Sequence, residues 1–259
     1  MKNGGSVLEF AGLTIEIALF LFTIAIIAGF LDTLAGGGGL LTLPALMMSG
    51  IPPLVALGTN KLQSCMGTAT ASVMMLRGRR VRWHQVKHLM LSAFIGSAIG
   101  TVIIQFVNTE MLTIIIPIVI SIIGIYFLIT PTIDEEDKPV KVSSSHYKRF
   151  VVPIIGCYDG IFGPGTGSFF TLAGRALRAQ KFLEATAIAK TLNFSTNIAS
   201  LIVFLFAGQV IWLVGITMML GQLIGAWLGS HCLFKIPVNY LRYLVVIMCF
   251  GMLAKYMTA

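Results

Sequence analysis

Twice along this chain a long apolar stretch is cut by a sequence that cannot stay helical. The first break is Gly36-Gly37-Gly38-Gly39 and the second is Gly163-Pro164-Gly165-Thr166-Gly167. Glycine weakens a helix interior by about 1 kcal/mol per residue and proline by about 3, so the backbone must open at both places. Apolar runs long enough to cross a hydrocarbon core of about 30 Å lie near 12–35, 57–76, 88–107, 111–130, 185–206, 209–231 and 239–257. Shorter ones lie at 40–48, 150–162 and 168–177. Hydrophobic residues make up 56% of the 259 and charged ones 11%, against about a quarter charged in a soluble domain. The spacing and composition predict an all-α polytopic membrane protein with no room for a soluble domain. With acids at Glu9 and Glu16 and no small-residue cleavage site, the first stretch reads as a retained span and not a signal peptide.

An internal repeat appears when the chain is slid along itself by 129 residues. Thr42-Leu43 falls on Thr171-Leu172, Ala56 on Ala185 and Lys61 on Lys190. Val81 and Trp83 fall on Val210 and Trp212, and Ile95-Gly96 with Gly100 on Ile224-Gly225 with Gly229. Two extra residues in the second glycine loop shift the register before it, where Asp32 falls on Asp159. One unit has been duplicated. Residues 1–130 form the first membrane repeat and 150–259 the second. The stretch 131–149, with Asp134-Glu135-Glu136-Asp137 and Ser143-Ser144-Ser145, reads as a solvated cytoplasmic linker.

Charge orients the copies. Arg77, Arg79, Arg80, Arg82 and Lys87 crowd one connection, whereas its counterpart, Ala207-Gly208-Gln209, is uncharged. Conversely, Ser49 to Leu57 carries no charge while its counterpart carries Arg175, Arg178 and Lys181. Positive residues favour the cytoplasmic side, so a reversed bias predicts inverted topology. Each copy would then contain a glycine-broken or re-entrant helix pair followed by three transmembrane helices. On this scheme the cytoplasmic loops hold 13 of the 18 Lys and Arg residues, and both termini face out. The net charge of +8 is thereby a matter of topology, and no nucleic-acid partner is expected.

Irregular backbone at membrane depth is tolerated where it lines a polar cavity. The helices expected from Leu40 and from Ser168 onward would present N-termini with free N–H donors and partial positive charge, and two such ends meeting would make an anion site. The alternative for these glycines is close helix packing, which is the better account of Gly96/Gly100 and Gly225/Gly229, each pair four apart on one face. Lys61 and Lys190 are costly inside a span unless they face a cavity or reach an interface. Their duplication and their polar company favour a cavity: Asn60, Gln63 and Ser64 beside Lys61, and Asn193 and Asn197 on the face of Lys190. Lysine would attract an anion and the amides would fix its geometry. Asp32 and Asp159 stand at the approach to each break. Removal from water favours the neutral form of a carboxyl group, which makes both candidate proton carriers; capping the local turn or pairing with a lysine is the other reading.

Other chemistry is not indicated. Cys65, Cys157, Cys232 and Cys249 have no metal-ligand spacing, and His84 and His88 lack a third ligand nearby, so no metal or cofactor is expected. An enzyme would need a nucleophile with its base or a metal cluster, and neither pattern occurs. Without a nucleotide-binding loop, pumping would draw on an ion gradient or a partner. A secondary transporter explains the paired breaks and lysines; a passive anion channel of the same symmetry is the alternative.

Gly36 to Pro44 followed by Gly58-Thr59-Asn60-Lys61-Leu62-Gln63 resembles the first-half signature of the TauE/SafE family of sulfite and organosulfonate exporters. Tyr158 to Phe169 and Ala187 to Asn197 resemble its second half, and the likeness is closest to the YfcA-like branch. It covers nearly the whole chain. The resemblance implies a multi-pass protein of the bacterial inner membrane that exports a small, often sulfur-containing anion. A homo-oligomer is compatible with this pattern.

Overall fold

A computed structural model describes residues 14–35, 37–129, 139–232 and 238–258, and all regular structure among them is helical. Five helices come first, four of them long: α1 (Ile15–Ala35), the short α2 (Gly39–Met48), α3 (Pro53–Arg77), α4 (Trp83–Ile104) and α5 (Thr109–Ile129). A short α6 (Ser144–His146) and a π-helical turn (Tyr147–Val151) lead into α7 (Val152–Ile161). Then follow α8 (Thr166–Arg178), α9 (Phe182–Phe206), α10 (Trp212–Cys232) and α11 (Val238–Thr258). Each apolar run seen in the sequence corresponds to one of these helices.

Five helices among the described residues are long and apolar enough to cross a membrane: Ile15–Leu34, Trp83–Ile104, Thr109–Tyr126, Phe182–Phe206 and Trp212–Cys232. The expected spans at 57–76 and 239–257 do not meet that standard. In α3 the reason is chemical. Its 25 residues reach about 37 Å, but Thr59, Asn60, Lys61, Gln63, Thr68 and Ser72 dilute its hydropathy, and all are buried. A helix that buries its polar side chains at the centre of a membrane protein does not need an apolar surface. In α11 the described apolar stretch is the shorter Val246–Tyr256.

The centre is built from α3 and α9, which pack on each other. Large apolar side chains of the surrounding helices face outward, as Ile114, Ile118, Ile122 and Ile125 do along one face of α5; such a stripe suits lipid contact. Prolines open helices where their missing N–H costs nothing: Pro52 and Pro53 start α3, and Pro153 lies in the first turn of α7.

Around the centre, α1 packs on α10 and α4 on α7, while α3 packs on α10 and α4 on α9. Matching α1 with α7, α3 with α9 and α4 with α10, as the internal repeat does, turns each of these contacts into another observed one. Small residues make the two outer contacts close. A Cβ on Gly225 would lie 2.0 Å from the Ile26 carbonyl oxygen of α1, and one on Gly96 or Gly100 would lie 2.1 Å from a carbonyl oxygen of α7. Close packing is therefore what these spaced glycines do.

Candidate functional site

Both broken segments turn at the centre of the fold, and they touch. A Cβ on Gly39 would lie 3.2 Å from Cα of Pro164, so the first glycine loop abuts the second. The loops solve their geometry differently. Gly163 and Gly165 adopt φ of +94° and +78°, left-handed values that favour glycine. Gly38 is right-handed; there the constraint is space, because a Cβ would lie 2.7 Å from Cβ of Asp32. Gly36 lies outside the described residues.

The short helices begin slightly earlier than the sequence suggested, α2 at Gly39 and α8 at Thr166. Part of their N-terminal donor capacity is consumed locally. Leu40 and Leu41 donate to the Gly37 and Gly38 carbonyls, and Ser168 donates to that of Gly165. Among the described residues no backbone carbonyl accepts from the amides of Gly39 or Gly167, and both glycines stand on the wall of a polar cavity between the loops.

That cavity collects most of the residues singled out in the sequence. From the first half come Asp32, Gly38, Gly39, Asn60 and Lys61. From the second come Asp159, Gly163, Gly165, Thr166, Gly167, Asn193 and Asn197. Gly37, Gln63, Pro164 and Lys190 are not on its wall. Gln63 acts one step behind: its side-chain amide donates to Asn60 Oδ1 at 2.7 Å, and Thr42 Oγ1 donates to the same oxygen at 2.6 Å. With that oxygen taken by two donors, the NH₂ group of Asn60 is the end left to face the cavity. Pro164 anchors its loop through its carbonyl, which accepts from the Tyr158 hydroxyl at 2.5 Å.

The lysines pair across the halves. Lys61 of α3 donates to Oδ2 of Asp159 in α7 at 2.8 Å and to the Asp159 carbonyl at 2.6 Å. Lys190 of α9 donates to the Asp32 carbonyl of α1 and lies 3.7 Å from Asp32 Oδ2. Neither lysine reaches toward an interface; they are 1% and 2% exposed. Asp32 also accepts from the Gly38 amide through Oδ1 at 3.2 Å, so it caps its loop and pairs with a lysine at once. A buried ion pair repays its desolvation only with such extra hydrogen bonds, and the backbone carbonyls supply them here.

Ser64, named in the sequence only as a polar neighbour of Lys61, also stands on the wall, and Thr68 and Gln222 were outside the predicted set. For Ser64 and Thr68 the signal lay in the repeat. The 129-residue shift places Ser64 on Asn193 and Thr68 on Asn197, so each central helix carries a lysine followed by two polar side chains at i+3 and i+7. Gln222 has Ala93 as its counterpart, and the duplication cannot find it. The cavity offers about 20 Å³ to the centres of water-sized molecules, enough for one or two waters. It is a small, polar, ion-paired pocket.

The model of the family described as sulfite exporter TauE/SafE matches residues 21–256. The chain belongs to the TauE/SafE family. Among the TauE/SafE relatives is a Haemophilus influenzae protein described as "Probable membrane transporter protein", 43% identical over 241 residues that cover 93% of this chain and 94% of that protein. The "Probable membrane transporter protein YfcA" of Escherichia coli is 40% identical over 235 residues, covering 91% and 87%. The "Probable membrane transporter protein ORF9" of a Sinorhizobium species is likewise 40% identical over 235 residues, covering 91% and 90%. No solved structure matches the chain significantly. The cavity thus lies in a multi-pass member of a family of membrane transporters.

Proposed function

We propose that this protein is a secondary transporter that exports a small sulfur-containing oxyanion, such as sulfite or an organosulfonate, across the bacterial inner membrane. The observation that carries this reading is the crossed pairing of Lys61 with Asp159 and Lys190 with Asp32, in which Lys61, Asp159 and Asp32 line one polar cavity and Lys190 stands behind Asp32. Carboxylates satisfy both lysines at rest, so a positive charge is stored at membrane depth without an anion. A diffusible oxyanion takes over that role by displacing one carboxylate, and amide donors from Asn60, Gly39 and Gly167 complete its shell. The family name supports the sulfur oxyanion, since an unbound sulfite presents the acceptor oxygens these donors need.

The two halves, 1–130 and 150–259 joined by the linker 131–149, act as inverted repeats that rock about this site. Each ion pair joins one half to the other, so exchanging which pair is closed exposes the anion to alternate sides. A carboxylate released from its lysine takes up a proton, which couples export to the proton gradient. Sulfite or thiosulfate flux into proteoliposomes, with and without an imposed pH gradient, tests the reading. Flux that responds to the pH gradient in wild type and not in Asp32→Asn or Asp159→Asn supports coupling. Gradient-independent flux in every variant identifies a passive channel instead.

A further inference from the structure

Gln222 is the cavity's most conspicuous departure from the repeat. It sits in α10, is 3% exposed and lines the cavity, yet no described residue hydrogen-bonds its side-chain amide. Its amide meets the cavity and hydrogen-bonds no other side chain among the described residues, so it is open to a ligand, and the equivalent position in the other half is Ala93. Two helices also make room for it. A Cβ on Gly67 of α3 would lie 2.6 Å from Gln222 Oε1, and one on Gly29 of α1 would lie 2.9 Å from the same atom. The carbonyl end is thus wedged between two glycines, where Cα–H groups are its neighbours. With Oε1 held between Gly29 and Gly67, the NH₂ group is the end left to meet the cavity that Gln222 lines.

We propose that Gln222 is a substrate-binding residue, whose NH₂ group donates to an oxygen of the bound oxyanion and thereby favours oxyanions over halides. This rests on the anion-transport reading above. Its place on one side of the pseudo-symmetric site gives the bound anion a defined orientation relative to the two lysines. Gly29 and Gly67 are then the residues that seat the carboxamide, and a methyl group at Gly67 pushes it out of register.

Titration of purified protein with sodium sulfite and sodium thiosulfate, alongside melting temperature, tests the role. Gln222→Met keeps the volume and removes the donors; it is expected to weaken oxyanion binding about tenfold or more with an unchanged melting temperature, while chloride affinity stays the same. Gln222→Glu, which adds a negative charge in place of the donors, is expected to weaken it further. If Gln222→Met proves unstable, Gln222→Asn withdraws the amide by one methylene and carries the same expectation. Wild-type binding that Lys61→Ala abolishes and Gln222→Met or Gln222→Asn leaves intact overturns the role of Gln222 alone. Absence of sulfite and thiosulfate binding by the wild-type protein overturns the anion-transport reading, and this inference with it.

Discussion

Lys61 and Asp159 lie 98 residues apart in the chain and 2.8 Å apart in space, with both side chains almost fully buried. The reciprocal pair, Lys190 and Asp32, is looser at 3.7 Å, and its carboxylate is 19% exposed. One site therefore holds two ion pairs of unequal closure.

The inequality predicts unequal mutational costs. Asp159→Asn leaves Lys61 buried without its counter-charge, and breaking such a pair costs about 3 to 5 kcal/mol. Asp32→Asn should cost clearly less, because solvent already reaches that carboxylate. Thermal unfolding in detergent ranks the two, and the double change Lys61→Met with Asp159→Leu should recover much of the loss. An equal effect of both Asn variants contradicts the asymmetry.

The packed glycines make a sharper stability test. Gly225→Ala places a methyl group 2.0 Å from the Ile26 carbonyl oxygen, so α1 must move, whereas a methyl group at Gly251 meets nothing within 4 Å. Overpacking of this kind costs about 1 to 3 kcal/mol, and the open position should change stability by less than about 0.5. Melting temperatures of the two variants check the difference.

In the second glycine loop, Gly163→Ala combines two penalties. Its φ of +94° disfavours a side chain, and the new methyl group would lie 3.0 Å from Lys61 Nζ. Strain of about 1 to 2 kcal/mol is expected together with loss of anion binding, because the methyl group intrudes on the Lys61 and Asp159 pair. A variant that binds sulfite with wild-type affinity argues against a site at this loop.

How much of this was legible in the chain depends on the range of the interaction. Helices and the packing role of Gly96, Gly100, Gly225 and Gly229 follow from short-range periodicity, and the structure has them where the pattern puts them. The lysines were identifiable as costly residues repeated at equivalent positions. Their partners were not, because linear order does not say that Lys61 reaches the carboxylate of the other half instead of its own. The run at 57–76 reads as a crossing span in the sequence, but its polar residues Asn60, Lys61, Gln63, Thr68 and Ser72 are buried at the centre that the other helices surround. Gln222 escaped notice because one amide among Met218, Met219, Leu220 and Leu223 leaves no pattern, and its significance lies in two glycines on other helices.

Inverted topology has its own test. In a cysteine-free background, single cysteines at Arg79 and Lys181 should be protected from a membrane-impermeant thiol reagent added outside intact cells, while those at Gly50 and Gly208 should react. Those four positions alternate between the halves, so labelling of Arg79→Cys and Gly50→Cys from the same side rules out the assigned orientation.

The central claim is that two lysines, one from each half, hold a shared anion. Its most direct measurement is sulfite and thiosulfate uptake into proteoliposomes reconstituted with wild type, Lys61→Ala and Lys190→Ala, each verified as folded by its elution and melting temperature. Uptake by wild type that falls at least about tenfold in both variants, the loss expected when one charge-assisted hydrogen bond is removed, is the predicted result. Unchanged uptake in both folded variants would contradict it.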